Sequence, residues 1–273
     1  MLALLATPLL FAQASPLLRA HAHNDYAQPR PLAGAMELQF CSIEADVFLV
    51  DGKLLVGHNR KDLKPDRMLD AMYLRPLSQA AQQHGGHVYA QPAEVTLLVD
   101  IKEDGAAVYE ELKRELRPYD SFLTHYGHGK VEKRAVTVIL SGDRPISVLA
   151  QEDKRVAFID GRPDEPAAPA SLVPLVSQSW GALFRWKGVG EMPAEEQASL
   201  AALVKKCHKA GQKLRFWGTP ETTAMWQALY DAGVDLVGTD RQKDLADFLR
   251  SQSNRGYSED ESVSAAGRRR RGI

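Results

Sequence analysis

The sequence predicts an α/β protein built as a single (β/α)8 barrel of the TIM type. Three observations predict it. The length of 273 residues is close to that of one such barrel, eight short apolar runs have the character of strands, and helical patterns separate several of them. Strands that alternate with helices are joined by right-handed crossovers and pair in parallel, so their carboxyl ends meet on one face.

Each strand of the predicted barrel is an apolar run bounded by polar or turn residues. In chain order the runs are 17–21, 41–47, 95–101, 135–140, 155–159, 175–179, 213–217 and 234–238. Helical patterns are predicted at 67–84, 106–116, 194–210 and 222–232. Residues 50–56 predict a turn at Asp51-Gly52 and a short strand that delivers Gly57-His58.

Two carboxylates lie on one side of the second predicted strand. Successive side chains of a strand alternate faces, so Glu44 and Asp46 project the same way, with Cα atoms about 6.6 Å apart. Such a pair repels itself unless a cation lies between the carboxylates. Asp100 and Lys102 form another same-face pair at the end of the third predicted strand. Either pair alone is explained by a solvated edge strand or a local ion pair.

Imidazoles and an amide lie at other strand ends. His21, His23 and Asn24 close the first predicted strand, and His58 follows the short strand. Imidazole titrates near neutral pH, which suits it to general acid and general base catalysis. A single His-x-His or Gly-His is commonly a coincidence, but four polar motifs at four strand ends favour one shared site.

These motifs resemble those of the phosphatidylinositol-phospholipase-C-like phosphodiesterases, which include glycerophosphodiester phosphodiesterases and sphingomyelinase D enzymes. The resemblance spans residues 17–249. It rests on His23-Asn24, Glu44-x-Asp46, Gly57-His58, Asp100-x-Lys102, Phe216-Trp217 and the run 231–239. The opening His23-Asn24-Asp25-Tyr26, followed by Arg30-Pro31-Leu32, is closer still to a bacterial and fungal subgroup.

The resemblance implies metal-dependent cleavage of a phospholipid-derived or glycerophosphodiester-like substrate, a small-molecule or lipid phosphodiester. One divalent cation, Mg²⁺ or Ca²⁺, is expected, since oxygen ligands favour these ions over zinc. The expected ligands are Glu44, Asp46, Asp100 and Asn24, and the expected catalytic residues are His23, His58 and Lys102. Either His21 or His23 could be the catalytic histidine, and the spacing to Glu44 favours His23. Hydrolysis and cyclic-phosphate formation both stay open.

Further side chains are expected to contact the substrate, namely His21, Arg144, Arg162 and Trp217. The two arginines follow the fourth and fifth predicted strands, where a guanidinium can clamp a phosphate through paired hydrogen bonds. Loop salt bridges explain them equally well. Trp217 and three aromatic residues after the sixth strand form either an apolar wall or core packing, the three being Trp180, Phe184 and Trp186.

Two other functions use part of the same pattern. Zinc amidohydrolases also carry His-x-His after the first strand, but they need histidines after strands five and six, where this sequence has Asp160 and Ser179-Trp180. An inactive, exported binding module is the non-enzyme alternative, because the fold alone does not guarantee activity. Loss of a histidine or an acidic ligand would favour such a module, and none is missing.

The ends of the chain suggest two further segments. Residues 1–14 are apolar, end in Ala12-Gln-Ala14 and are too short to span a bilayer, which predicts a signal peptide and export to the periplasm or medium. A disordered or barrel-plugging N-terminal helix is the alternative. The barrel domain is expected over 15–250, and the polar, arginine-rich run 251–273 predicts a disordered basic tail.

The composition limits the kinds of binding partner that we expect. The formal net charge of −1 gives no bulk attraction to nucleic acid or anionic lipid. No transmembrane segment is expected, and the oligomeric state is left open. Cys41 and Cys207 lie on elements predicted to be apart, so two free thiols are expected.

Overall fold

The computed structural model describes residues 14–253, and twelve strands lie in that range. They are β1 (Leu17–Ala22), β2 (Phe40–Val50), β3 (Lys53–Val56), β4 (Val95–Ile101), β5 (His125–Gly127), β6 (Lys130–Glu132), β7 (Val136–Gly142), β8 (Lys154–Arg155), β9 (Ala157–Gly161), β10 (Leu175–Ser179), β11 (Lys213–Trp217) and β12 (Leu236–Thr239). The predicted signal peptide, apart from its last residue, lies outside the described residues. So does the predicted tail beyond residue 253, while residues 251–253 continue the last helix.

Helices cover the outside of the sheet. They are α1 (Ala33–Glu37), α2 (Arg75–Gln83), α3 (Gly105–Leu116), α4 (Ile146–Gln151), α5 (Trp180–Leu183), α6 (Ala194–Lys209), α7 (Thr223–Asp231) and α8 (242–253). Short 3-10 turns occupy Asp25–Ala27, Arg60–Asp62 and Arg117–Phe122. A π-helical turn, Asp70–Leu74, leads into α2. The helix predicted from residue 67 therefore begins later. Pro76 lies in the first turn of α2, where proline has no N–H to donate to the preceding turn.

Eight parallel strands close into a barrel, which confirms the predicted fold. Their order is β1-β2-β4-β7-β9-β10-β11-β12, and β12 pairs back with β1. The turn at Asp51-Gly52 and the strand after it are also confirmed, because β3 pairs antiparallel with β2. The fifth predicted strand is displaced: β9 begins at Ala157, while Arg155 belongs to β8 in a separate three-stranded sheet with β5 and β6.

The barrel interior is layered along its axis. An apolar layer is formed by Leu98, Ile139, Phe158, Leu175 and Leu236, and Tyr126 and Val131 of the small sheet pack against it from the end where the strands begin. Side chains two residues further along a strand point the same way. The positions two residues after this layer therefore also point inward, nearer the carboxyl ends, and they are polar: Asp100, Ser141, Asp160 and Ser177. A larger apolar core lies between barrel and helices, where both cysteines are buried and free, as predicted.

Candidate active site

Three carboxylates converge at the carboxyl ends of β2 and β4. The parallel register places Asp46 beside Asp100, and Glu44 lies one inward position earlier on β2. One oxygen of each carboxylate lies within 4.8 Å of the others. Asp46 is fully buried and Glu44 nearly so. The strand register thus brings together the three acidic residues that the resemblance implied as metal ligands.

Glu44 is held by two nitrogen donors. Its Oε2 accepts from Arg215 at 2.6 Å and from His21 Nε2 at 2.8 Å. Burial opposes ionisation, but the Arg215 guanidinium and the His21 hydrogen bond outweigh it and hold the pKa of Glu44 well below its usual range. Glu44 is therefore an anion at neutral pH.

His21 supports Glu44 and does not reach solvent. Its Nδ1 lies 2.7 Å from Ser42 Oγ, so both ring nitrogens are engaged inside the barrel. Burial, and then the nearby Arg215 charge, lower the pKa of His21 to about 4. The neutral ring donates Nε2–H to Glu44 and accepts from the serine hydroxyl. This is a structural position rather than the substrate-contacting position predicted for His21.

Asp46 is the most connected acid of the cluster. Its Oδ2 lies 2.6 Å from Lys102 Nζ, 2.6 Å from the Tyr26 hydroxyl and 3.0 Å from His58 Nδ1. Its Oδ1 is buried and has no hydrogen-bond partner within the described residues. Burial, and then the Glu44 charge, raise the pKa of Asp46. Lys102 also binds Asp100, and these two carboxylates raise its pKa against the opposing effect of burial.

Two histidines flank the carboxylates, and each is oriented by an acid. His23 Nδ1 lies 2.8 Å from Asp240 Oδ1, and His58 Nδ1 is bound to Asp46. Asp240 follows β12 directly, and the pairing of β12 with β1 carries it next to His23 although 217 residues separate them. Within residues 14–253 neither Nε2 has a hydrogen-bond partner, so each ring keeps one nitrogen for a ligand.

Tyr26 and Asn24 lie at the edge of the cluster. Asn24 adopts a left-handed backbone with φ 47°, a conformation that asparagine tolerates well. Its Oδ1 lies 2.6 Å from the Tyr26 hydroxyl, which also contacts Asp46 and lies 3.3 Å from His58 Nδ1. Burial, and then Asp46, raise the pKa of Tyr26 far above its usual value, so the hydroxyl stays protonated. Asn24 is therefore separated from the acids by one hydroxyl group.

The two arginines that were predicted to contact the substrate form hydrogen bonds with acidic side chains of the protein. Arg144 binds both oxygens of Glu165, at 2.7 and 3.1 Å. Arg162 binds Asp160 at 2.9 Å and lies 4.9 Å from the centre of the Trp217 ring. The salt-bridge interpretation accounts for Arg144, because its guanidinium fork is already filled.

Of the two interpretations of the aromatic residues after the sixth strand, core packing is the one that the structure shows. Trp180, Phe184 and Trp186 are buried, and the rings of Trp180 and Phe184 are 4.3 Å apart between centroids. Trp217 alone of the four is half-buried at the mouth. With His23 and Arg215 it lines a cleft of about 150 Å³ between β11 and β12.

Sequence reasoning missed three residues of this site: Tyr26, Arg215 and Asp240. Asp240 carried a usable signal, since it is a polar residue two positions after the last predicted strand. Arg215 is a charged residue in the middle of an apolar strand, which marks either an edge position or an inward ion pair. Tyr26 belongs to the His23-Asn24-Asp25-Tyr26 opening that carries the resemblance, and this motif was its only signal.

Solved structures of phosphodiesterases share this parallel barrel. A glycerophosphodiester phosphodiesterase from Parabacteroides distasonis has 16% identity and a TM-score of 0.50, covering 86% of this chain and 98% of that one. A calcium-dependent phosphoinositol-specific phospholipase C from Pseudomonas has 14% identity and a TM-score of 0.53, covering 82% and 88%.

The chain belongs to the family of AIM6-like phosphodiesterase domains, whose family model matches residues 11–160. Its relatives include altered inheritance of mitochondria protein 6 of Eremothecium gossypii, 30% identical over 82% of this chain and 67% of that protein. The Saccharomyces cerevisiae protein is 30% identical over 81% of this chain and 68% of that protein. The Arthroderma benhamiae homologue is 27% identical over 81% and 80%. This membership removes the zinc amidohydrolase alternative.

The relatives also correct the expected location. Export was predicted from residues 1–14, but the relatives are named for the inheritance of mitochondria, which contradicts an exported protein. An apolar run ending in Ala-x-Ala is a weak signal without a basic leading segment. None of the helices within residues 14–253 is both long enough and apolar enough to cross a bilayer.

Proposed function

We propose that this protein cleaves a phosphodiester with a divalent cation held by Glu44, Asp46 and Asp100 and with His23 and His58 as base and acid. The convergence of three carboxylates within 4.8 Å carries the proposal. The substrate we infer is a phospholipid-derived or glycerophosphodiester-like anion.

The donor set fits a hard divalent ion. All three groups offer oxygen, the preferred ligand of Mg²⁺ and Ca²⁺. The buried Asp46 Oδ1 has no hydrogen-bond partner among the described residues, and a buried carboxylate oxygen without a partner is costly. Coordination would satisfy that oxygen. Asn24 supplies a neutral amide oxygen at the edge of the same cluster.

The charges of the cluster also favour a cation. Glu44, Asp46 and Asp100 carry three negative charges, and Lys102 and Arg215 return two positive ones. One negative charge remains, which would repel an anionic phosphodiester. When bound, a divalent ion supplies charge neutralisation for the non-bridging phosphate oxygens as they gain charge in the transition state.

The two histidines are suited to opposite proton transfers. The Asp240 carboxylate fixes the His23 ring and would stabilise the imidazolium that forms when Nε2 takes a proton from the nucleophile. His58 would donate from its Nε2 to the leaving oxygen, since its Nδ1 is anchored on Asp46. Lys102 adds a fixed positive charge beside Asp46 and Asp100. Water and a substrate hydroxyl are both possible nucleophiles.

The test uses purified protein assayed with bis(p-nitrophenyl) phosphate, lysophospholipids and glycerophosphodiesters. EDTA should abolish cleavage, and Mg²⁺ or Ca²⁺ should restore it. Asp46→Asn should lower metal-dependent turnover by about 10²-fold or more, and the protein should stay folded. The matched control is Asp66→Asn, which changes an exposed carboxylate and should leave turnover unchanged.

Two results would contradict the proposal in different ways. Full activity in EDTA would mean that the Lys102 ammonium between Asp46 and Asp100 supplies the positive charge alone. Saturable binding of a diester without turnover in any metal would assign the barrel as a binding module. Metal binding is measured separately by calorimetry, so an unsuitable substrate is not mistaken for a missing ion.

A further inference from the structure

The end of the barrel opposite the candidate active site holds a large cavity of about 860 Å³. It lies between the last turn of α3, the 3-10 turn Arg117–Phe122 and the small sheet of β5, β6 and β8. A cavity of this size matches the volume of small-molecule sites. The catalytic proposal uses none of the residues that line it.

The lining of this cavity is strongly basic. Three exposed cations border it, Arg117, Lys130 and Lys154, and the imidazoles of His125 and His128 lie among them. The chain as a whole has a formal charge of −1, so this concentration of positive charge does not follow from a basic composition.

Two of the three acids at the cavity are already paired with cations. Glu152 binds Lys113 and the Tyr109 hydroxyl. Glu132 binds Arg134, and Asp120 lies 3.5 Å from His125. Within the described part of the chain, Arg117, Lys130 and Lys154 form no salt bridge. Three like charges around one cavity repel each other, and an anion between them would remove that repulsion.

A buried guanidinium points to the same chemistry. Arg155 lines the cavity, is only 7% exposed and lies 3.9 Å from the centre of the Tyr126 ring. Its terminal nitrogens bind the backbone carbonyls of Glu152 and Ser171, but its Nε is buried without a hydrogen-bond partner in residues 14–253. Because this Nε is closed off from solvent, Arg155 contributes its positive charge to the cavity and not a free hydrogen bond.

We propose that this cavity is a second, non-catalytic site that binds a phosphate-bearing anion with more than one negative charge. The exposed cations Arg117, Lys130 and Lys154 would hold the phosphate, and the charge of Arg155 would add to their attraction from beneath. The anion is either a soluble organophosphate or the head group of an anionic phospholipid. This site does not depend on the catalytic proposal, since it lies at the other end of the barrel.

Calorimetry with inorganic pyrophosphate in EDTA tests for the soluble form. The double variant Lys130→Glu and Lys154→Glu should weaken binding about tenfold or more, because charge-assisted contacts are lost. The matched control, Lys205→Glu with Lys209→Glu, makes the same change in charge at exposed α6 positions and should keep wild-type affinity. Lys102→Met should also keep it, which separates this site from the catalytic end.

Cosedimentation with vesicles tests the lipid form. Binding to phosphatidate vesicles, absent with phosphatidylcholine and lost in the Lys130→Glu and Lys154→Glu protein, would support a lipid head group. The proposal is overturned if the wild type binds neither pyrophosphate nor phosphatidate, or if both double variants lose binding equally, since bulk charge would then explain it. Thermal unfolding of each variant verifies its fold, and unchanged diester cleavage is expected in both.

Discussion

At the scale of single residues, the site depends on how one carboxylate divides its two oxygens. Asp46 Oδ2 receives Lys102, Tyr26 and His58, while Oδ1 is left without a partner in the described residues. The first oxygen fixes the surrounding side chains, and the second stays available to an ion. Single substitutions can therefore remove the contacts of Asp46 one at a time.

His58→Ala removes the proposed acid and one contact of Asp46, and it leaves all three acidic ligands in place. The side chain is 61% exposed, so its loss leaves the core unchanged. We expect kcat to fall by about 10²-fold or more, as for loss of a general acid, with metal affinity almost unchanged. Kinetics and metal calorimetry on the same preparation check this. A large loss of metal affinity would show that His58 itself is a ligand.

Asp240→Asn tests the orientation of His23. The amide keeps the size of the carboxylate but removes the charge that stabilises an imidazolium, so kcat should fall about 10²-fold or more while KM changes little. Asp247→Asn, on exposed α8, is the matched control. If the two variants behave alike, the His23–Asp240 contact does not serve catalysis.

The sequence allowed prediction of the acids and the flanking histidines because strand alternation fixes which side chains share a face. Arg215 could not be predicted in the same way. In the run from Lys213 to Trp217 it alternates with Leu214 and Phe216, which resembles a solvent-facing position. Only closure of the barrel turns that face inward toward Glu44.

At the scale of elements, the β2–β3 hairpin that delivers His58 rests on a helix. Glu115 of α3 accepts from the Leu54 backbone N–H of β3 at 3.4 Å. Its other oxygen is buried and unpaired within residues 14–253. Burial raises the pKa of Glu115 from its ordinary value of 4.5 to about 7.

Because its pKa is raised, Glu115 lowers the free energy of unfolding as the pH rises. The folded state keeps the Glu115 proton to about pH 7, whereas the unfolded chain releases it near pH 4.5, so the free energy of unfolding decreases between those values. At pH 8 the free energy of unfolding from urea denaturation should be higher for Glu115→Gln than for the wild type, by roughly 1 to 3 kcal/mol. At pH 4 the two proteins should differ little. Glu110→Gln on the same helix is the exposed control. A difference that does not depend on pH would contradict the assignment.

Among the strands, those that sequence reasoning missed are the short polar ones. Buried parallel strands are continuous apolar runs, and all eight were recognisable for that reason. The strands β5, β6 and β8 have two or three residues each and contain His125, Lys130 and Lys154, which are typical of loops. Their pairing is set by packing of Tyr126 and Val131 under the barrel, a contact that no local pattern contains.

At the scale of the whole molecule, an ion bound only by the folded barrel must stabilise it. At a metal concentration about 100 times Kd the gain is about 2.7 kcal/mol, which raises Tm by roughly 5 to 10 °C for a chain of this size. Calorimetric melting across a Mg²⁺ or Ca²⁺ series checks this. The rise should vanish in Asp46→Asn, and a rise of equal size there would place the ion elsewhere.

Closure of β12 onto β1 brings His23 to Asp240, so the two members of the pair come from opposite ends of the sequence. Synthesis from the amino end makes His23 217 positions before Asp240. A nascent chain that ends between these two residues therefore lacks the acid that orients the His23 ring. The candidate site is complete only after β12 and Asp240 have been synthesised and the barrel has closed.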